Sequence, residues 1–174
     1  VDDDQLICET TTMSLERLDD RIHVRSVTNP RDVLEVLDSA PIDCVVSDFQ
    51  MPGMDGIELL RAVREEYPNL PFFLFTGKGS EDVAAEAINA GATSYVQKGG
   101  TEVYEQLANR IENAVDHRQS ERRAKVAQNR LLSLYEQTDG FYILDSDWQV
   151  VYWNQQIADR TGVPSDKILG ESFW

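Results

Sequence analysis

Strand-like and helix-like segments alternate along the chain from residue 22, and this alternation limits the fold more than any other feature. The apolar runs CVVSDF and PFFLFT are typical of buried strands, whereas MDGIELLRAVREEY carries apolar residues at helical spacing. Strands that alternate with helices of this length form a parallel sheet covered by helices on both faces. We therefore predict an α/β fold with a doubly wound parallel sheet, whose ligands gather beyond the carboxyl ends of the strands.

Polar side chains stand at the ends of the predicted strands. Asp2 and Asp3 follow the first strand, Asp48 the third, Thr76 the fourth and Lys98 the fifth. Clustered carboxylates repel one another unless a cation lies among them, and Mg²⁺ prefers oxygen ligands. An ammonium and a hydroxyl can hold an anion beside such a metal ion. The sequence thus predicts a magnesium site that receives a phosphoryl group.

Four motifs resemble those of the receiver domain of two-component response regulators, and they occur in the order of that family: VDDD, SDFQMPGMDG, FTGKGS and SYVQKGG. The resemblance covers residues 1–117 and implies a flavodoxin-like sheet of five parallel strands in the order 2-1-3-4-5. VDDD supplies only one residue of the first, central strand, so we expect that strand to be truncated. Gly99 and Gly100 stand where this family commonly has a proline after the lysine.

The resemblance implies that Asp48 is a phosphoacceptor. Its carboxylate would take a phosphoryl group from the phosphohistidine of a histidine kinase or phosphotransfer protein and form an aspartyl phosphate. Asp2, Asp3, Asp48 and the backbone carbonyl of Gln50 would bind Mg²⁺, which neutralises charge at the transferring group. The function implied is two-component phosphorelay signalling.

The resemblance also implies a switch. Lys98 would pair with phosphoryl oxygens, and Thr76 would move to hydrogen-bond the phosphate while Tyr95 turns inward. The fourth helix, the fifth strand and the fifth helix would form the output face. Such a domain catalyses its own phosphorylation and dephosphorylation, so no separate catalytic domain is expected in this segment.

The pattern changes after the receiver-like region. DHRQSERRAKVAQNR is almost wholly polar without Pro or Gly, which predicts a helical linker over residues 118–130. Beyond it, GFYILDSDWQVVYWN and GVPSDKILG resemble the first strands and short helices of the PAS sensor fold, so we expect a partial α+β PAS-like segment at 131–174. By analogy with receiver and PAS tandems, the full-length protein would be a larger sensor protein or a histidine kinase.

The charge and the apolar runs of the chain limit the classes of partner that we expect. The net charge of −15 argues against binding nucleic acid by simple attraction. No apolar run approaches the roughly 20 residues that span a bilayer, and the acidic VDDD is unlike a signal peptide, so we expect no membrane segment and a cytoplasmic location.

The sequence allows alternatives for the packing of the fifth helix and for the function. Val103, Leu107, Ile111 and Val115 form an apolar stripe on the fifth helix that could pack on the sheet or, with the linker helix, form a homodimer seam. The function could also be that of a phosphorylation-independent dimerisation scaffold. An aspartate-nucleophile phosphatase is a further alternative, but Gln50 stands where such enzymes need a second aspartate.

Overall fold

A computed structural model describes residues 1–77 and 81–173. The last three residues of the FTGKGS motif and the final residue of the chain lie outside this part. Contacts within the chain define two units, one from Val1 to Gln119 and one from Ser120 onward. No helix in the described part is both long enough and apolar enough to cross a bilayer.

The first unit contains helices packed on a parallel sheet. Its helices are α1 (Gln5–Leu18), α2 (Val33–Ser39), α3 (Gly56–Glu66), α4 (Glu81–Asn89) and the first part of α5 (Thr101–Glu136). Within the described residues, its strands are β1 (Val45–Ser47), β2 (Phe72–Thr76) and β3 (Ser94–Gln97). They are hydrogen-bonded in the order β1-β2-β3 and run parallel, with Val45 opposite Phe72 and Phe73 opposite Ser94.

The sheet is smaller than predicted, because three of the five expected strands are formed in the described part of the first unit. The segment IHVRSV, residues 22–27, is not a strand. A strand needs a neighbour along its length, and within the described residues this segment is linked to β1 through Val1 and Asp2. Asp2 N donates to the carbonyl of Val27 at 3.2 Å, whereas Val1 N donates to the carbonyl of Val46 at 2.6 Å. Two residues are too few to build a ladder.

The core has one layer on each face of the sheet. Side chains alternate along β2, so Phe72 and Leu74 join the cluster of α2 and α3, whereas Phe73 and Phe75 join the cluster of α1 and α5. All five residues of β2 are buried, as expected of a strand covered on both sides. In the second cluster, Leu107 and Ile111 are buried and Val103 and Val115 pack at its margin. The apolar stripe of the fifth helix therefore forms core.

Arg64 ties together the loops that lead into two strands. Its Nη1 donates to the carbonyl of Leu70 at 2.7 Å, just before β2, and its Nη2 donates to the carbonyl of Gly91 at 2.8 Å, before β3. Burial lowers the pKa of the Arg64 guanidinium. These contacts lie at the amino ends of the strands.

The second unit begins within α5, which continues without a break to Glu136. Residues 118–130, the predicted linker, are helical, and the helix runs six residues further than that prediction. A hairpin of β4 (Tyr142–Leu144) and β5 (Val150–Trp153) follows, and then α6 (Gln155–Thr161) and α7 (Ser165–Ile168). Strands and short helices are present as expected, but nothing in this unit identifies a PAS fold, which stays a prediction.

Asn154 holds the second unit together. Its side chain is fully buried. The amide nitrogen donates to the carbonyls of Tyr135 and Thr138 at 2.8 and 2.9 Å, and Oδ1 accepts from the backbone N–H groups of Phe141 and Ile157 at 2.9 and 3.1 Å. One side chain thus joins the end of α5, the start of the hairpin and the first turn of α6.

Candidate functional site

The carboxyl ends of the three strands form one edge of the sheet. Asp48 directly follows β1, Thr76 is the last residue of β2, and Lys98 directly follows β3. Lys98 N donates to the carbonyl of Thr76 at 2.8 Å, so the ends of β2 and β3 are held side by side. The structure therefore places these three polar residues at the edge where the sequence predicts them.

Lys98 connects two acidic side chains at this edge. Its Nζ lies 2.6 Å from Asp2 Oδ2 and 3.0 Å from Asp48 Oδ1. The exposed fractions of the three side chains are 19% for Lys98, 9% for Asp2 and 12% for Asp48, so little water screens the charges. Burial lowers the pKa of Lys98, but the hydrogen bonds that its ammonium donates to the Asp2 and Asp48 carboxylates outweigh this effect, and the net result is a raised pKa. Lys98 is therefore a stable cation in the site.

The loop after β1 orients the Asp48 carboxylate. Asp48 Oδ2 accepts a hydrogen bond from the backbone N–H of Gln50 at 3.0 Å, which leaves Oδ1 for Lys98. The Asp48 backbone N–H donates to the carbonyl of Val1 at 2.8 Å. Both oxygens of the predicted phosphoacceptor thus have hydrogen-bond donors, and its position depends on the first residue of the chain as well as on β1.

Two residues that sequence reasoning missed hold this loop in place. A Cβ atom on Gly56 would lie 2.3 Å from the carbonyl oxygen of Asp48 and 2.6 Å from Leu74 Cδ2, so only glycine fits there. Asp55 caps α3 by accepting from the N–H groups of Ile57 and Glu58. The signal for both is the Asp-Gly pair at the start of the predicted helix.

The predicted metal ligands fit Mg²⁺ in their chemistry. Asp2, Asp3, Asp48 and the carbonyl of Gln50 offer only oxygen atoms, which Mg²⁺ prefers. Asp3 is exposed and, with Gln50, lines an open depression of about 450 Å³ beside the loop. Across residues 1–77 and 81–173, however, no three His, Cys, Asp or Glu side chains are arranged to hold a metal ion. In this arrangement the positive charge between Asp2 and Asp48 is that of Lys98.

The predicted switch residues lie in different surroundings. Thr76 is 1% exposed, whereas Tyr95 is half-buried and packs against the cluster of α2 and α3. Phe75, which sequence reasoning did not single out, has its ring centroid 5.8 Å from Lys98 Nζ. This aromatic face gives the ammonium a third favourable neighbour.

Solved receiver structures share this fold. A response regulator receiver domain protein from Clostridium thermocellum matches with a TM-score of 0.61 and 28% identity over 68% of this chain and 92% of that one. A CheY-like receiver domain protein from Methanospirillum hungatei matches with a TM-score of 0.61 and 25% identity over 69% of this chain and 93% of that one. The predicted flavodoxin-like receiver fold is confirmed.

Curated relatives are longer proteins. The DNA-binding transcriptional regulator NtrC of Proteus hauseri is 34% identical over 77% of this chain, which spans 28% of that protein. The transcriptional regulatory protein FixJ of Bradyrhizobium diazoefficiens is 38% identical over 53% of this chain and 43% of its own length. The bacterioopsin transcriptional activator of Halobacterium salinarum is 28% identical over 83% of this chain and 24% of its own length.

Residues 1–112 match the family described as the response regulator receiver domain. The matched range includes Asp48, Thr76 and Lys98, the residues that the fold brings to one edge of the sheet. The chain belongs to the response regulator receiver domain family.

Proposed function

We propose that Asp48 accepts a phosphoryl group from the phosphohistidine of a histidine kinase or phosphotransfer protein. The observation that carries this proposal is the partly buried contact of Lys98 with Asp48 at the carboxyl edge of the sheet. An isolated buried lysine would be costly, whereas a lysine beside a phosphoacceptor can follow the negative charge as it moves onto the phosphoryl oxygens.

The reaction is a phosphoryl transfer. An Asp48 carboxylate oxygen forms a bond to phosphorus, the bond from phosphorus to the histidine nitrogen breaks, and the electron pair of that bond stays on the imidazole. Asp2, Asp3, Asp48 and the Gln50 carbonyl would hold Mg²⁺, which supplies charge neutralisation when bound. Lys98 stabilises negative charge at the oxygens, and the hydrogen bond from Gln50 N orients the carboxylate before transfer.

The proposed output signal depends on the charge that the phosphoryl group adds to the site. A phosphoryl group brings about −1.5 to −2 charges and three acceptor oxygens to an edge where one lysine already pairs with two carboxylates. Thr76 and Tyr95 are the proposed switch residues, since Thr76 ends the adjacent strand and Tyr95 lies on β3. The face of α4, β3 and α5 would then carry the signal. A homodimer through α5 is part of this proposal, and its exposed residues Leu131 and Leu134 support it.

The chain would be the receiver of a larger sensor protein or histidine kinase, with a PAS-like segment after it. NtrC is named as DNA-binding, but this chain spans 28% of it, and the acidic charge of the chain supports the absence of a nucleic-acid partner for these residues. A phosphorylation-independent scaffold is the second candidate, which the exposed side of α5 favours.

Intact mass spectrometry tests the phosphoacceptor. The chain is incubated with acetyl phosphate and Mg²⁺, with EDTA in place of Mg²⁺, and with Asp48→Ala and Asp20→Ala variants whose fold is checked by circular dichroism. We expect one added phosphoryl group, lost with EDTA and with Asp48→Ala but kept with Asp20→Ala, because Asp20 is exposed on a turn. Dephosphorylation is followed in parallel. If the folded chain shows neither an adduct nor dephosphorylation, the result would favour the scaffold.

A further inference from the structure

Phe75 lies between Asp48 and Lys98 in the order of the strands. The last pair in the ladder of β1 and β2 is Ser47 with Leu74, so Asp48 is the next residue beside Phe75. On the other side of β2 is β3, which ends just before Lys98. A side chain that reaches from Lys98 to Asp48 must therefore cross the end of β2.

The Lys98 side chain follows this path over β2. Lys98 stands beside Gly77, because the ladder of β2 and β3 ends one residue before each of them. A Cβ atom on Gly77 would lie 4.0 Å from Lys98 Cβ and 3.9 Å from Lys98 Cδ, so the stem of the lysine runs along this glycine. Further on, Nζ lies 5.8 Å from the centroid of the Phe75 ring and 3.0 Å from Asp48 Oδ1. The ammonium thus reaches Asp48 over the face of the Phe75 ring.

Tyr104 holds the Phe75 ring in its plane. The centroids of the two rings lie 5.5 Å apart with an angle of 68° between the planes, which is an edge-to-face pair. Tyr104 lies on the first part of α5, and both residues belong to the cluster of α1 and α5. Phe75 is only 2% exposed, so close packing limits its rotation. The ring is therefore a fixed surface below the ammonium.

An aromatic ring differs from an aliphatic side chain in its attraction for a cation. The face of the ring is negative, and it attracts an ammonium that lies within about 6 Å of the centroid. The Lys98 side chain is 19% exposed, so water weakens this attraction only in part. Leucine at position 75 would keep an apolar side chain in the core but would remove the attraction. Lys98 would then more often adopt rotamers that point away from Asp48.

We propose that Phe75 is a positioning residue, whose ring, held by Tyr104, keeps the Lys98 ammonium at Asp48. This inference rests on the proposed transfer of a phosphoryl group to Asp48, in which Lys98 stabilises charge at the oxygens. Phe75 acts through Lys98 and does not itself contact the reacting atoms. Its effect is on the rate of transfer rather than on the affinity for the phosphodonor.

The rate of phosphoryl uptake tests this role. Phe75→Leu, Phe75→Tyr and Phe73→Leu chains are incubated with Mg²⁺ and a range of acetyl phosphate concentrations, and the adduct is followed by intact mass. Phe73→Leu is the matched control, because Phe73 is fully buried on the same strand and in the same cluster but lies two residues further from the carboxyl edge.

We expect Phe75→Leu to lower the maximal rate by about 5-fold or more, with the donor concentration at half-maximal rate little changed, because the ring acts on the transfer step. Phe73→Leu should keep the maximal rate of the unchanged chain, since it makes the same change in size away from Lys98. Phe75→Tyr should also keep it, because tyrosine supplies a ring face of the same kind.

A double-mutant cycle measures the contact without any phosphodonor. Urea unfolding in EDTA is followed for Phe75→Leu, for Lys98→Met and for the chain with both changes, and the cycle is repeated with Phe73→Leu. The effect of Phe75→Leu on the unfolding equilibrium constant should be about 3-fold smaller when Lys98 is already methionine, because the cation is gone. Phe73→Leu should have the same effect in both backgrounds.

Equal maximal rates in Phe75→Leu and Phe73→Leu would overturn the proposal, and so would a cycle in which Phe75→Leu and Lys98→Met are additive. If the unchanged chain takes up no phosphoryl group, the proposed function fails, whereas the cycle still shows whether the ring holds Lys98. If Phe75→Leu does not fold, Tyr104→Leu replaces it in both measurements, since it frees the ring. An unchanged rate and additive effects in Tyr104→Leu would then overturn the proposal.

Discussion

The Nζ atom of Lys98 lies 3.0 Å from Oδ1 of Asp48, so the charged residue that follows β3 neutralises the one that follows β1. Lys98→Met removes this charge and leaves the carboxylates of Asp48 and Asp2 close together in a poorly hydrated site. We expect the free energy of unfolding to fall by about 3 kcal/mol in EDTA, since unpaired buried charges are costly.

Urea unfolding followed by circular dichroism measures this effect, with Lys125→Met as the control because Lys125 is exposed on α5. Mg²⁺ should restore part of the loss in Lys98→Met if the carboxylates bind it. An unfolding free energy equal to that of the Lys125→Met chain would mean that the ion pairs contribute no stability.

Gly56→Ala tests the contact between α3 and the loop of Asp48. The new Cβ would lie 2.3 Å from the Asp48 carbonyl oxygen, so the loop and the start of α3 must separate. We expect a loss of about 3 kcal/mol in the free energy of unfolding and a slower uptake of the phosphoryl group from acetyl phosphate. Gly100→Ala is the matched control, because a Cβ there has no neighbour within 4 Å. Similar behaviour of both variants would contradict the packing at Gly56.

Asn154→Ala tests the centre of the second unit. The change leaves the carbonyls of Tyr135 and Thr138 and the N–H groups of Phe141 and Ile157 without their side-chain partner. We expect that unit to lose about 3 kcal/mol of stability, because buried polar groups that lack partners are costly.

Tryptophan fluorescence reports this change selectively, since Trp148, Trp153 and Trp174 all follow residue 120. Gln156→Ala, an exposed change in α6, should leave the fluorescence transition in urea where it is. A transition that does not move in Asn154→Ala would show that the buried amide is not needed for the fold of this unit.

We expect the Cys44 thiol to make the fold less stable at alkaline pH. Burial, and then the negative charge of Asp43, raise the pKa of Cys44 from 9.0 to about 11. A raised pKa means that the folded state favours the protonated thiol. The contribution of the thiol to the free energy of unfolding is therefore complete below the pKa of the unfolded state, and it is lost as the pH rises through the pKa of the folded state. The free energy of unfolding should therefore fall between pH 9 and 11. In Cys44→Ala, the fall over the same interval should be smaller by this contribution, and an unchanged fall would contradict it.

The edge of the sheet was predictable because parallel strands end together. An apolar run followed by one polar residue identified Asp48 and Thr76, and Lys98 was identified as the residue that follows the predicted fifth strand. The contacts among these side chains were not predictable. Whether Lys98 turns toward Asp2, Asp48 or an anion depends on the charges present at the site, and these are set by the folded arrangement.

Residues 22–27 show a second limit of predicting the fold from the sequence. Its apolar pattern indicates a strand, but a strand forms only where a neighbour supplies hydrogen bonds, and the pattern of one segment says nothing about its neighbour. The fit of Gly56 against Asp48 has a similar origin, because two residues eight positions apart meet only once the loop closes.

Arg64 contacts the carbonyls of Leu70 and Gly91 at the edge of the sheet opposite to Asp48. These contacts do not involve Asp48 or Lys98, so the anchoring of β2 and β3 at their amino ends does not depend on the residues that carry the proposed chemistry. Substitutions confined to the rim of Asp48 would therefore leave the contacts of Arg64 in place, whereas loss of Arg64 would release the amino ends of both strands whatever residues stand at the other rim.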